Sequence, residues 1–231
     1  MPLRFPPSVL RDTHLARVLG ARVPGALLRG PTRDADGYRL LYVTLDDGPD
    51  LLGTPLLLRA LDVCDARATA FLSADLAAAR PDLARRWAED GHRVGNHGGA
   101  HRSAWAMAPG AAVAEMTRAE RVLGGIVGTA VRDVRPPYGR LTPGLVRWAR
   151  EGGRRLVLWD VMPGDYDDAT PAETIADRIV RLARPGSVVV LHDGRPAERA
   201  AHALRLALPR LAAAGWRFPA LPALPLAGAP L

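Results

Sequence analysis

The chain has 231 residues, 48% of them hydrophobic, so it is long enough to bury a substantial core and too apolar for a disordered protein. The formal net charge is +7, but the arginines that carry it are scattered, which disfavours a dedicated nucleic-acid-binding face. No apolar run approaches the ~20 residues of a membrane span, so no integral membrane segment is expected. Arg4, Arg11 and Arg17 interrupt any signal-peptide pattern, so a cytoplasmic location is expected.

Short apolar strands alternate with helices along most of the chain. Residues 1–38 are rich in Pro, Gly and Arg and are predicted to pack as a preamble on the main domain, with a short helix near residues 8–19. The main domain is predicted over 39–218, and a Pro/Ala/Leu-rich tail follows at 219–231. The predicted strands lie at 39–45, 69–73, around Val94, and at 131–134, 155–159, 187–191 and 215–218. The predicted helices lie at 53–64, 81–90, 109–123, 142–151, 171–183 and 196–213.

Strands that alternate with helices predict βαβ units and a mainly parallel sheet. About seven such units fit a (β/α) barrel slightly smaller than the usual eight-fold form, and an open doubly wound sheet is the alternative. Polar side chains come directly after five of the strands, where a barrel builds its active site. These positions are Asp46-Asp47, Asn96-His97, Arg135, Asp160 and His192-Asp193.

Two histidines surround a glycine pair in the segment Gly-Asn-His-Gly-Gly-Ala-His. His97 and His101 offer two imidazole nitrogens to one ion, and Asp47 completes a His₂Asp set with open positions, the ligand count of a catalytic zinc. The adjacent carboxylates of Asp46 and Asp47 point in different directions, so one can bind a cation while the other stays free as a base. Each pattern taken alone also fits a turn or a polar surface.

Three further segments carry candidate functional side chains. Arg135 ends a strand and precedes Pro-Pro-Tyr-Gly, which fits either a pocket wall with a carboxylate-binding arginine or an ordinary loop. Residues 159–168 combine aromatics with carboxylates, as sugar-binding walls or acidic loops do. His192 directly follows the apolar run 188–191, at a position suited to a general acid or base.

In this order, these segments resemble the five motifs of the polysaccharide deacetylases, the NodB-homology domain of carbohydrate esterase family four. Residues 44–49, Thr-Leu-Asp-Asp-Gly-Pro, match the first motif, Thr-Phe-Asp-Asp-Gly-Pro, with Leu45 in place of Phe. His97 and His101 match the two histidines of the second motif, with Gly98 at its Ser/Thr position.

The remaining three motifs follow in the same order. Arg135, Pro137 and Tyr138 match the third motif, Arg-x-Pro-Tyr, in full. Asp165-Tyr166 stands where the fourth motif has Asp-Trp, and 190–192 stands where the fifth has Leu-x-His, with Val for Leu.

The resemblance covers about residues 40–218 and implies a deformed (β/α)7 barrel with mainly parallel strands. The implied reaction is the hydrolytic removal of N-acetyl, sometimes O-acetyl, groups from a glycan or acetylated amino-sugar. It further implies that Asp47, His97 and His101 bind a divalent metal, zinc in the first instance and Co²⁺, Ni²⁺ or Mn²⁺ as alternatives.

The resemblance also implies the catalytic roles. Asp46 is the base, and Arg135 pairs with it and keeps it charged. The backbone N–H of Tyr138 helps to hold the oxyanion. His192 donates a proton to the leaving amine, with Asp165 as the partner that orients it.

Two departures from the family pattern affect the site. Gly98 removes a hydroxyl that fixes the histidine loop, and we expect the side-chain amide of Asn96 to brace the loop instead. Tyr166 in place of Trp makes one groove wall smaller. The residues expected to contact the substrate are Pro137, Tyr138, Trp159 and Tyr166.

Two alternatives to a glycan deacetylase stay open on the sequence alone. One is a non-catalytic glycan-binding protein with a relict metal site, which the change at Gly98 suggests. The other is a metal-dependent amidase or esterase that acts on another acylated small molecule, because a fold does not determine its substrate. The sequence specifies neither the sugar nor the oligomeric state.

Overall fold

The computed structural model describes residue 23 and residues 25–224, so the helix predicted near 8–19 lies outside the described residues. In chain order the strands are β1 (Arg39–Leu40), β2 (Tyr42–Asp46), β3 (Ala68–Leu72), β4 (Arg93–Asn96), β5 (Asp133–Val134), β6 (Arg155–Leu156), β7 (Val188–His192) and β8 (Trp216–Arg217). The helices are α1 (Gly53–Val63), α2 (Ala74–Ala79), α3 (Pro81–Glu89), α4 (Ala111–Val127), α5 (Pro143–Glu151), α6 (Ala172–Leu182) and α7 (Ala197–Ala213). Short 3₁₀ turns occupy Ala104–Ala106 and Pro137–Gly139.

Six strands form one parallel sheet in the order β6-β5-β4-β3-β2-β7. The sheet curls into a half-barrel, and the gap between β6 and β7 is filled by backbone outside the strands. Leu27 bridges Val157 beside β6, and Arg29 bridges Ser187 next to β7. The curled parallel sheet confirms the predicted barrel rather than the open doubly wound sheet.

The central strands are buried on both sides. Every residue of β2 and β3 is buried, so the outer faces pack on helices and the inner faces fill the barrel. The inner faces form a cluster around Tyr42, Phe71 and Trp159. The outer faces pack against α1 and α7, whose alanines and leucines allow close approach to the sheet.

Several element boundaries follow from end signals in the sequence. Pro81 opens α3, and Thr142 caps α5 by accepting a hydrogen bond from the Leu145 backbone N–H at 3.2 Å. Helix α4 runs past the predicted end at residue 123 and stops where Gly128 adopts a positive φ of 71°.

Other boundaries differ from the prediction. The strand predicted at 39–45 is divided at Leu41, because β1 pairs with β8 in a separate two-stranded sheet while β2 enters the barrel. Helix α2 was not predicted, since six residues with three consecutive alanines carry no readable apolar period. Among the described residues, no helix combines the length and the apolar character needed to cross a membrane.

Candidate active site

A cavity of about 510 Å³ opens at the carboxyl ends of the barrel strands. It brings together most of the residues singled out in the sequence. Those that line it are Asp46, Asp47, His97, His101, Tyr138, Trp159, Tyr166 and His192. Arg135 and Asp165 are buried behind this lining and contact Asp46 and His192, respectively. Asn96 is buried too and accepts the Gly98 backbone N–H, next to His97.

Asp47, His97 and His101 form a compact group of three ligand atoms. Asp47 Oδ1 lies 3.4 Å from His97 Nε2 and 3.1 Å from His101 Nε2. His97 Nδ1 contacts the Arg135 carbonyl oxygen at 2.7 Å, which assigns the proton to Nδ1 and leaves the Nε2 lone pair facing Asp47. The turns that place Asp47 and His101 have positive φ values of 76° and 50°.

The chemistry of this group fits a divalent metal. The ligand atoms lie within 4.8 Å of one another, and Asp47 Oδ1 is buried without a hydrogen-bond partner among the described residues. Burial opposes the charge on Asp47, but the neighbouring His97, His192 and His101 lower the pKa of its carboxyl to about 2. Burial lowers the pKa of His101. A charged carboxylate beside neutral imidazole is the protonation state that metal binding requires.

Asp46 lies beside the ligand group, and one of its two carboxylate oxygens meets a fully buried arginine. Arg135 Nη1 donates to Asp46 Oδ1 at 2.6 Å and to Thr44 Oγ1 at 2.8 Å, while Nη2 donates to the Leu158 carbonyl oxygen at 3.0 Å. The guanidinium also stacks on the Phe71 ring, 4.2 Å from its centroid. Burial lowers the pKa of Arg135 and the Asp46 charge opposes that change. The pair fixes one carboxylate oxygen and leaves Oδ2 directed towards His97 Nε2, 4.0 Å away.

His192 and Asp165 form a second pair on the other side of the cavity. His192 Nδ1 lies 3.0 Å from Asp165 Oδ1, and the His192 backbone N–H donates to Asp165 Oδ2 at 2.7 Å. Burial alone would lower the pKa of His192, but the Asp165 charge and hydrogen bond outweigh it and raise the pKa to about 9. At neutral pH the imidazole is therefore protonated and can donate a proton from Nε2.

The loop that carries the two histidines is held from beneath. Asn96 is fully buried, and its Oδ1 accepts the Gly98 backbone N–H at 2.8 Å while its Nδ2 donates to the Met116 carbonyl oxygen at 2.9 Å. Ser73 Oγ donates to the Gly99 carbonyl oxygen, and Glu115 Oε1 accepts the Gly99 N–H at 3.2 Å.

Comparison with known proteins agrees with this geometry. The family model described as polysaccharide deacetylase matches residues 33–157. This chain belongs to the polysaccharide deacetylase family.

Individual relatives support the same assignment. A peptidoglycan-N-acetylglucosamine deacetylase of Bacillus cereus is 32% identical over 197 residues, which are 84% of this chain and 70% of the relative. A chitooligosaccharide deacetylase of Azorhizobium caulinodans is 33% identical over 195 residues, 79% of this chain and 92% of the relative.

A solved structure shows the same fold. The crystal structure of the Bc1960 peptidoglycan N-acetylglucosamine deacetylase, in complex with an N-hydroxybenzamide compound, superposes with a TM-score of 0.80 at 30% identity. The match covers 87% of this chain and 92% of that one. The deformed (β/α)7 barrel is therefore confirmed.

One strand-end residue of this deacetylase was placed wrongly by the sequence pattern. Asp160 does not line the cavity: its Oδ1 accepts the Val188 N–H at 2.8 Å and its Oδ2 accepts the Ser187 hydroxyl at 2.9 Å, at the start of β7. Arg29 Nε lies 3.4 Å from the same carboxylate. The chain turns beside β7 after β6, so Asp160 helps to close the barrel at the end opposite the active site.

Sequence reasoning also missed side chains that build the deacetylase site. Ser73 and Glu115 carry no motif, because they reach the histidine loop only through the packing of α2 and α4. Trp105 and Arg140 extend the cavity wall beyond the motif residues, and only their position in the folded chain reveals this.

Proposed function

We propose that this deacetylase removes the N-acetyl group from an amino-sugar unit of a glycan, with Zn²⁺ held by Asp47, His97 and His101. The observation that carries the proposal is the Asp47 Oδ1 atom, which has no hydrogen-bond partner in the described part of the chain and faces two imidazole nitrogens at a cavity large enough for a sugar. N-acetylglucosamine is the unit named for the Bacillus cereus relative, and chitooligosaccharides are named for the Azorhizobium relative.

Asp46 serves as the general base in this proposal. A divalent cation bound to the three ligands supplies Lewis acidity, which lowers the pKa of water and polarises a carbonyl group. Asp46 Oδ2 faces the ligand group and takes a proton from the attacking water, while Oδ1 stays bonded to Arg135. The buried Arg135 fixes the direction of the carboxylate by its hydrogen bond to Oδ1.

His192 completes the reaction as the general acid. The water oxygen bonds to the acetyl carbon, and the backbone N–H of Tyr138 donates to the carbonyl oxygen as it becomes negative. The carbon–nitrogen bond then breaks, its electron pair passes to the nitrogen, and His192 Nε2 delivers the proton that nitrogen needs. Acetate and the free amine result. Asp165 orients His192 through Nδ1 and maintains its charge.

Aromatic and rigid residues form the groove in which the sugar lies. Trp159 is buried at the floor of the cavity, whereas the Tyr138 and Tyr166 rings stand exposed at its rim. Tyr166 approaches His192 edge-to-face, with ring centroids 6.2 Å apart. Pro137 fixes the turn that presents Tyr138 with a φ of 61°. Such rings pack against the apolar faces of sugars and leave the polar edges to hydrogen bonds.

Paired carboxylate variants test this assignment. Asp46→Asn should lower kcat on an N-acetylglucosamine oligomer by about 10²- to 10⁴-fold, the usual contribution of a general base, because asparagine cannot accept the proton. Asp47→Asn should lose activity because it loses zinc. Elemental analysis and kcat of the purified variants check both expectations.

The zinc content of the two variants distinguishes the proposed role of Asp46 from that of Asp47. Asp46→Asn should retain nearly one zinc per chain, whereas Asp47→Asn should lose it. An Asp46→Asn variant that keeps wild-type kcat would overturn the proposed mechanism. A zinc-loaded wild-type protein that does not hydrolyse acetylated amino-sugars would overturn the proposed function.

A further inference from the structure

Three arginines line the active-site cavity and a second cavity of about 770 Å³ that adjoins it. Two of them form ion pairs with carboxylates: Arg102 pairs with Glu115, and Arg195 pairs with Asp168, which Arg199 also contacts. The third, Arg140, lines both cavities and has no acidic partner among the described residues. The charge of Arg140 is therefore available to a ligand.

Arg140 is held in a fixed position by contacts other than an ion pair. Its guanidinium lies over two exposed rings, 5.1 Å from the centroid of Trp105 and 5.1 Å from that of Tyr138. Nη1 donates to Ser103 Oγ at 2.9 Å. Trp105 is itself fixed, because its indole N–H donates to the Leu141 carbonyl oxygen at 2.8 Å. The side chain therefore loses little entropy when it binds a ligand.

The surroundings of Arg140 favour an anion over further packing. A guanidinium has five N–H donors in a planar fork, and Arg140 uses one of them on Ser103. The free edge matches the geometry of a carboxylate or phosphate. The neighbouring rings of Trp105 and Tyr138 are 53% and 58% exposed, which is typical of a binding surface and not of a packed core.

The distance of Arg140 from the proposed zinc ligands determines which part of a bound glycan it would contact. Tyr138 contacts both Arg140 and His101, whose ring centroid is 4.7 Å from that of the tyrosine. A sugar with its acetamido group at the zinc ligands would thus lie beside Tyr138, and its neighbour in the glycan would reach Arg140.

We infer that Arg140 makes this deacetylase selective for glycans that carry an acidic substituent, a carboxylate or a phosphate, on a sugar next to the one that is deacetylated. This inference rests on the proposed function and specifies its substrate class. Trp105 and Tyr138 support the sugar and hold the guanidinium in place.

Four matched glycans test the selectivity of the zinc-loaded protein. The first is the neutral N-acetylglucosamine tetramer, and the second is a tetramer in which alternate sugars carry a 3-O-lactyl carboxylate. The third is the second with its carboxyl group amidated, and the fourth is the neutral tetramer phosphorylated at one 6-hydroxyl. Their Kd values are measured by calorimetry on an Asp46→Asn background with and without Arg140→Ala, and their kcat/KM values on the active enzyme.

Arg140→Ala should weaken the binding of the preferred acidic glycan by about 10- to 100-fold, the range for a charged hydrogen bond, and change that of the neutral and amidated glycans by less than about twofold. Arg140→Lys should retain part of the preference, because it keeps the charge without the fork. Arg195→Ala, which removes an already paired charge from the same rim, should leave the ratio of acidic to neutral binding unchanged. If the affinity of the lactyl glycan depends on Arg140, the arginine binds a carboxylate. If the affinity of the phosphorylated glycan does, it binds a phosphate.

Two results would overturn the inference. One is a wild-type protein that binds acidic and neutral glycans equally, and the other is an Arg140→Ala effect of the same size on all four. The Kd values decide this without turnover. A protein that shows the Arg140-dependent Kd difference but deacetylates none of the glycans would contradict the proposed function and leave the selectivity standing.

Discussion

The contact between His192 and Asp165 makes catalysis depend on pH in a predictable direction. As the proposed general acid, His192 must carry its proton, and the adjacent Asp165 carboxylate raises its pKa to about 9. Activity should therefore persist through neutral pH and fall as the pH rises through that value. In Asp165→Asn, burial still lowers the pKa of His192, and the largest opposing charge is gone while those of Asp46 and Asp47 remain. The alkaline limb of the kcat profile should move to lower pH by about 1–3 pH units.

A carboxylate on the same loop provides the control. Asp168 lies three residues beyond Asp165 and pairs with Arg195 and Arg199 instead of His192. Asp168→Asn should leave the alkaline limb where it is, even where it alters kcat itself. An Asp165→Asn profile with an unmoved alkaline limb would show that Asp165 does not set the protonation of the acid.

At the scale of single elements, the histidine loop contains two glycines and is held in place by contacts from neighbouring side chains. Gly98 adopts a φ of +83°, where a side chain is strained, so a serine could not occupy this position in the same conformation without cost. The Asn96 amide reaches the Gly98 N–H from two residues upstream and ties the loop to α4 through the Met116 carbonyl oxygen. These contacts fix the histidine loop from outside position 98, in place of a hydroxyl at that position.

Asn96→Ala should therefore loosen the metal ligands as well as the fold. Groups that orient ligands typically change metal affinity or activity by about 10- to 100-fold, and zinc affinity should fall within that range. The buried Gly98 N–H loses its acceptor, and the Met116 carbonyl oxygen keeps only its helix bond, so the free energy of unfolding should fall by about 1–3 kcal/mol. Competition with a zinc chelator and urea unfolding of the metal-free protein measure the two effects separately.

A control variant at a threonine of α4 distinguishes an effect on stability from an effect on metal binding. Thr117 follows Met116, and its hydroxyl donates to the Val113 carbonyl oxygen at 2.8 Å, within the same helix. Thr117→Ala should change unfolding slightly and leave zinc affinity at the wild-type value. Zinc affinity that falls equally in both variants would mean that Asn96 acts only through general stability.

The elements and the site differed in how far the sequence could predict them. Helices with explicit end signals, such as the Thr142-Pro143 start of α5, matched the structure within a residue, because capping is local chemistry. Eight of the predicted site residues line one cavity, since parallel strands bring their carboxyl ends to one edge. Ser73, Arg140 and the true place of Asp160 depend on how distant segments pack, and no local pattern encodes that.

At the scale of the whole molecule, barrel closure depends on the segment before the first strand. The sheet has edges at β6 and β7, and residues 27–30 fill the gap between them. Leu27 exchanges backbone hydrogen bonds with the chain beside β6, and the Gly30 N–H donates to the Gly186 carbonyl oxygen at 2.8 Å next to β7. Covered edges are protected from pairing with other chains, so this segment supports both stability and solubility.

Gly30 is the point at which this closure is most sensitive. A Cβ there would lie 2.4 Å from Cε2 of Tyr42, a ring buried inside the barrel, so the segment or the ring must shift. Gly30→Ala should cost about 1–3 kcal/mol, the usual effect of overpacking, and lower Tm by about 2–4 °C for each kcal/mol. Gly125→Ala is the matched control: it lies within α4 with open space around its Cβ and should raise stability by about 0.5–1 kcal/mol. Thermal unfolding with zinc present measures the expected fall in Tm of Gly30→Ala and the expected rise in Tm of Gly125→Ala. A Gly30→Ala protein as stable as the wild type would show that the segment packs too loosely to stabilise the barrel.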